Sequence, residues 1–290
     1  MSAARAKETA ADQSVVYVYG VARVPPSEAF APLQLEGIVR DAPVQRLVRD
    51  NLVAFVSTVP ASQFGASELR SALADAEWLR GRIFGHEKIL KELRSSYGVV
   101  PFRFCTIYRN AALLLNALAR HRAELDQAID RVGDASEWGV KLYYDPEALR
   151  CQVEVASKAI RQLRETLTGA SPGAQFFLRK KYDRALDAEV AASIAVCVEH
   201  SRRCLDECAR GAAEIQVQSP AEHGRSEAMV MNAAYLVDKG ALGGFQRALA
   251  ALRTEFAEPA FSYELTGPWP PYHFVSTRRE GIEDAAASNQ

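Results

Sequence analysis

The chain has 290 residues, 48% of them hydrophobic and 24% charged, and its 35 basic residues stand against 36 acidic ones for a net charge of -1. A chain this long buries a sizeable core without disulfide or metal support, and Lys and Arg interleaved with Asp and Glu exclude the basic excess typical of a nucleic-acid binder. Five scattered cysteines with no Cys-x-x-Cys pair fit a reducing cytosol rather than a disulfide framework, and the absence of any run of roughly 18 apolar residues excludes a transmembrane helix.

Residues 1–14 lack the apolar core of a signal peptide and read as a disordered lead-in. Residues 15–21 are β-branched and aromatic and predict a first strand. Pro25 and Pro26 break the chain, and 33–43 are ambiguous. Residues 44–48 and 52–59 predict two strands joined by a hairpin turn at Asp50-Asn51. From 67 to 95 the period becomes helical: Leu79, Ile83, His86, Leu90 and Leu93 alternate steps of four and three and share a face. Residues 99–104 predict a short buried strand. Residues 110–131 predict a helix with Leu114, Leu118, Leu125 and Ile129 facing the core.

Residues 137–144 alternate, with Trp138, Val140, Leu142 and Tyr144 on one face of a strand. Asp145-Pro146 supplies an N-cap and a first-turn proline for a helix whose core face is Leu149, Val153, Ala156, Ile160, Leu163 and Leu167. After a break at 169–173, a long helix over 174–210 carries Leu186, Val190, Ile194, Cys197, Ser201 and Leu205 on one side. Strands follow at 214–218 and 228–237, then a helix at 240–256 and a strand at 260–265. Past Thr277 the polar tail reads as disordered.

From residue 137 the succession β, α, β, β, α, β is the ferredoxin-like order, and the first half gives a related mixed pattern. The predicted fold is α+β: a lead-in at 1–14, an N-terminal α/β domain at 15–133, a ferredoxin-like domain at 134–275 with helices covering its mixed sheet, and a tail at 276–290. The second domain closes on an extended Pro/aromatic segment.

The chemistry-bearing constellations are few. Gly240-x-x-Gly243-Gly244 opens a helix but lacks both the P-loop and dinucleotide patterns, so it reads as a strand-to-helix turn. Cys197, His200, Cys204 and Cys208 are spaced by three and four, yet one straight helix cannot surround a metal, and Cys197 and Cys204 continue an apolar stripe. His86 and Glu87 diverge by about 100° around their helix, so they are no acid/base pair, and His86 reads as a core or interface histidine. There is no nucleophile elbow and no zinc-protease pair. Two segments resist a bland account. Arg103 sits inside the apolar run 100–106, where burial without a partner is costly. Residues 265–275 crowd three prolines with Trp269, Tyr272 and Phe274, as either a tail pinned to its own domain or a docking strip for another protein.

These two segments carry a resemblance. Together with residues 17–21, the stretch around His86-Glu87, and residues 137–141, 173–181 and 232–237, they match in order and spacing the gas vesicle protein L/F family along nearly the whole chain, from Tyr17 to Val275. Cys105 departs from the family's usual glycine. The resemblance implies a soluble accessory or minor structural protein of gas vesicle assembly in the cytoplasm, with two ferredoxin-like-related α/β domains. It implies the small hydrophobic major shell protein and other gas vesicle accessory proteins as partners, and no nucleic acid, membrane insertion, cofactor, metal or catalytic residue. Arg103, Phe104, Trp269, Tyr272 and Phe274 are the candidate partner-binding residues. The competing readings are a small-ligand enzyme with a site between the domains near Arg103 and Lys141, and a metal-dependent regulator using the Cys/His helix.

Overall fold

The computed structural model describes residues 14–24, 33–256 and 260–275. The expected tail, the Pro25-Pro26 break and all of the expected lead-in except Ser14 lie outside them. The chain divides into two units, one running to Ser136 and resuming at Trp269, the other spanning Glu137–Pro268.

Unit 1 contains β1 (Ser14–Arg23), β2 (Gln45–Arg49), β3 (Leu52–Pro60), α1 (Ala61–Phe64), α2 (Ala66–Ala72), α3 (Ala76–Ser96), β4 (Val100–Pro101), β5 (Ile107–Tyr108), α4 (Ala111–Arg120) and α5 (Arg122–Val132). Its sheet is antiparallel in the order β2-β3-β1-β4, and β5 also pairs with β1. Side chains alternate across a strand, and here both faces are covered. Tyr17, Tyr19 and Phe55 meet Phe64, Leu69, Ile89, Leu90 and Leu93 from α1–α3. Val16, Val18, Ala54 and Val56 meet Leu114, Leu118, Leu125 and Ile129 from α4 and α5. That two-sided burial is why β1 is apolar almost throughout.

The periodic segment 67–95 is two helices, because the Asp75 carboxylate takes the backbone N–H groups of Glu77 and Trp78 at 2.9 and 3.2 Å and starts α3 afresh. Asn110 caps α4 in the same way, and the helix expected over 110–131 breaks at His121. The core face of α3 is His86, Ile89, Leu90 and Leu93; Ile83, expected beside them, is exposed. Toward the start of α3, Arg82 lies instead over the Phe64 and Trp78 rings, 5.7 and 5.8 Å from their centroids.

Unit 2 contains β6 (Ser136–Tyr144), α6 (Pro146–Ala156), α7 (Lys158–Thr168), α8 (Pro172–Asp206), β7 (Gly211–Glu214), α9 (Pro220–His223), β8 (Ala228–Val237), α10 (Leu242–Phe256) and β9 (Phe261–Trp269). Its strand order is β7-β8-β6-β9, so the first strand lies between the third and the last. With α9 as one turn between β7 and β8, the element succession is the β, α, β, β, α, β read from the sequence. The helix expected over 146–167 is split at Ser157, whose hydroxyl caps α7 at the Ile160 N–H, 3.3 Å away. β7 ends where a strand at 214–218 was expected to begin. From there Ile215 N–H reaches the Asn232 carbonyl at 2.9 Å, and the Asn232 amide reaches the Gln216 carbonyl at 2.9 Å. Central β6 is covered on both faces, not one: Glu137 and Tyr143 are buried as well as Val140 and Leu142. The glycine-rich turn leads into α10 from Leu242, with Ala241 N–H bonded to the Asp238 carbonyl at 2.9 Å.

Two matching sequence pieces interlock on β6 and β9. A Cβ on Gly139 would lie 2.6 Å from the Thr266 Oγ1. Gly267 has φ +122°, and a Cβ there would come within 2.9 Å of the Glu137 carbonyl oxygen.

The strip at 265–275 is divided. β9 runs on through Trp269, past the expected end at 265, and the chain then makes one 3-10 turn at Tyr272–Phe274. Residues from Trp269 onward belong to unit 1, not to the second domain as the sequence reading had them. Tyr272 packs on the Tyr17 side of the first sheet and Val275 on the Val16 side, which ties this stretch down by apolar burial.

Candidate functional site

The five candidate contact residues all lie in unit 1, and the structure separates them into anchors and exposed groups. The run 100–106 is not a buried strand. β4 stops at Pro101, and Arg103 stands exposed at a turn closed by the Thr106 N–H and hydroxyl, which donate to the Arg103 carbonyl at 3.1 and 2.7 Å. Among the described residues the Arg103 guanidinium has no carboxylate partner, so the cost of burying it never arises. Cys105 completes the turn with φ +62°, the left-handed region that favours glycine. This accounts for the family's usual residue there. Burial pushes the Cys105 thiol up to about 12, so it is no thiolate near neutrality.

Phe104, half-buried, turns its ring edge to His86 at 5.8 Å between centroids. Tyr272 donates its hydroxyl to Glu87 Oε1 at 2.7 Å. Phe274 is buried, and its carbonyl receives Arg131 Nη1 at 3.5 Å. These three are anchors. Trp269 is 47% exposed. Of the five, only Arg103 and Trp269 are exposed.

Beneath the Arg103 turn lies a polar hub that the sequence showed only as an apolar stripe. The Tyr17 hydroxyl accepts the Cys105 N–H at 3.2 Å and lies 2.8 Å from His86 Nδ1. The hydroxyl and Nδ1 share one hydrogen bond, so Tyr17 joins the turn to α3. Nε2 is buried as well. Burial pushes His86 down to about 4, although the Phe102 carbonyl works the other way. Beside it, the Tyr19 hydroxyl donates to Ser57 Oγ at 2.9 Å and accepts the Ile38 N–H at 2.8 Å. The hub ties β1, β3, α3 and the Arg103 turn together. His86 is fully buried, as the apolar stripe implied, and it and Glu87 serve separate partners.

In unit 2 the Cys/His helix does not converge. Cys197 is buried, with its sulfur 3.5 Å from the Tyr263 hydroxyl, and His200 Nε2 sits 3.2 Å from Glu255 and 3.5 Å from Cys204 Sγ. Among the described residues no three His, Cys, Asp or Glu side chains gather to hold a metal ion. Lys141 pairs with Glu264 at 3.8 Å. The same carboxylate accepts from the Tyr143 hydroxyl at 3.2 Å and faces Arg225 at 3.6 Å, while Arg225 also holds Glu227 at 2.6 Å. That ion pair draws Glu227 down to about 2. The network is balanced, two cations against two anions. The β-strand signals at 137–144 and 260–265 could have located it, but not its closing partners at 225 and 227, which come from a loop. Among the described residues no helix is long and apolar enough to cross a membrane.

Comparison with known proteins agrees with this architecture. Residues 15–276 match the family model described as gas vesicle synthesis protein GvpL/GvpF. The chain is 30% identical over 271 residues to gas vesicle protein L of Streptomyces sp. (strain CB03234), covering 92% of this chain and 95% of that one. It is 28% identical over 260 residues to gas vesicle protein F of the same strain, covering 89% and 98%. Its fold is similar to the crystal structure of the gas vesicle protein GvpF from Anabaena sp. PCC7120, with a TM-score of 0.67 at 18% identity over 90% of this chain and 98% of that one.

Proposed function

The chain belongs to the gas vesicle synthesis protein GvpL/GvpF family, and from that premise we propose that it is a cytoplasmic accessory or minor structural protein that holds the apolar major shell subunit, together with other gas vesicle proteins, during assembly. Such a subunit aggregates in water unless its apolar surface is covered. The observation that carries the reading is the pairing of exposed groups with rigid anchors in unit 1. Trp269 is exposed at the end of β9, and Arg103 is exposed at its turn. Each is followed within five residues by aromatic side chains fixed in the fold. An indole presented by a pinned backbone offers contact area at little entropic cost.

The reading is non-enzymatic. The Cys105 thiol is partly buried and held protonated, and the His86 imidazole is fully buried with its basicity lowered. Capture of purified shell subunit by the full chain, by Trp269→Ala and by Arg103→Ala tests the site. Loss of capture with unchanged circular dichroism supports it, and undiminished capture by both variants removes these residues from the binding model.

A further inference from the structure

The other unexplained feature lies in unit 2. Helices α7 and α8 pack as a hairpin whose base is buried through Ile160 and Leu186, with Tyr182, Ala185 and Val190 partly buried beside them. Beyond that base the hairpin has no core. From 171 to 181 every residue is exposed except Leu178, and Phe176 and Phe177 are 60% and 74% exposed. Their rings meet edge-on at 5.7 Å, and Lys180 Nζ lies 4.6 Å from the Phe176 centroid. The charge is as uneven as the polarity. Between Lys158 and Arg184 there are seven Lys and Arg against two acidic residues, Glu165 and Asp183, in a chain whose net charge is -1. All seven cations are exposed, and none reaches a carboxylate among the described residues.

Grouped apolar side chains on a solvated surface mark an interaction site, and unpaired cations around them select an anionic cover. Charge alone would suit a nucleic acid or an anionic lipid as well. Leu163 and Leu167 on α7 and Leu178 on α8 are half-buried and add apolar side chains to the same hairpin. Two helices presenting an apolar seam flanked by cations form a seat for a third helix with an apolar stripe and acidic flanks. We propose that the tip of the α7–α8 hairpin is a docking site for an acidic amphipathic helix of a partner protein. This surface belongs to unit 2, whereas Arg103 and Trp269 belong to unit 1, and it does not depend on the shell subunit as partner.

The test uses the full chain and a fluorescein-labelled synthetic helix of Leu, Ala and Glu with one apolar stripe, read by anisotropy. Binding that weakens about tenfold in Phe176→Ala/Phe177→Ala, and as much in Lys180→Glu/Lys181→Glu, is the expected result. It should also weaken on raising the salt concentration. Both variants alter only exposed side chains, so far-ultraviolet circular dichroism should be unchanged. The proposal is overturned if the helix does not bind, if either variant binds as the parent does, or if a scrambled peptide of equal composition binds equally well. Tighter binding of an oligothymidine strand or of phosphatidylglycerol vesicles overturns it in favour of those ligands.

Discussion

Acidification should unlock unit 1 through one residue. His86 is fully buried, and its imidazole is held at about 4 against an ordinary 6.5. The unfolded chain therefore binds a proton that the folded chain refuses between those values. The stabilisation is complete above pH 6.5 and is lost as the pH falls toward 4. At about 1.4 kcal/mol per unit, the loss approaches about 3 kcal/mol, a large share of a typical domain's stability. Carboxylates titrate over part of the same range, so the measurement is a difference. Urea unfolding of the parent and of His86→Gln, whose amide is polar but does not titrate, is followed by circular dichroism across that window. The parent should lose about 3 kcal/mol more than the variant between pH 6.5 and 4. A gap between the two that does not change with pH would refute the sealed-imidazole account.

Tyr17→Phe removes the hydroxyl that serves both Cys105 N–H and His86 Nδ1. It should cost about 2 kcal/mol in urea unfolding, and a loss under about 0.5 kcal/mol would show that the hub is dispensable. Gly267→Ala puts a Cβ against the Glu137 carbonyl at φ +122° and should cost about 2 kcal/mol, visible as a lower thermal midpoint, while an unchanged midpoint would mean the β6–β9 pair relaxes freely. Tyr272→Phe cuts the bond to Glu87; amide exchange at 272–275 should rise while β1 stays protected, and unchanged exchange would show that apolar packing alone holds the segment.

Residues with a strong period were the legible ones. β8 was read at its observed bounds, and β1 to within a residue at its start, because β1 is largely β-branched and aromatic and β8 is an apolar run closed by Tyr235, Leu236 and Val237. Helix breaks at Asp75, His121 and Ser157 were not read: Asp75 and Ser157 are revealed only by the bonds their side chains make to the next helix, and His121 makes no side-chain cap at all. Arg103 looked costly only because the run around it seemed to be one strand. The left-handed Cys105 that bends it out is invisible to periodicity, although the departure from glycine at that position was a usable signal. The strip at 265–275 was assigned by adjacency to the second domain, whereas its last residues find their apolar partners in the first. The basic hairpin was hidden by the near-zero total charge and emerges only when charge is counted per element.

The central claim is a role in building gas vesicles, and disruption of the gene for this chain in its own host tests it most directly. Buoyancy and electron microscopy should show vesicles lost or sharply reduced, with recovery on supplying the parent chain and poor recovery with Trp269→Ala. Vesicles of normal number and shape in the disrupted strain would contradict the account.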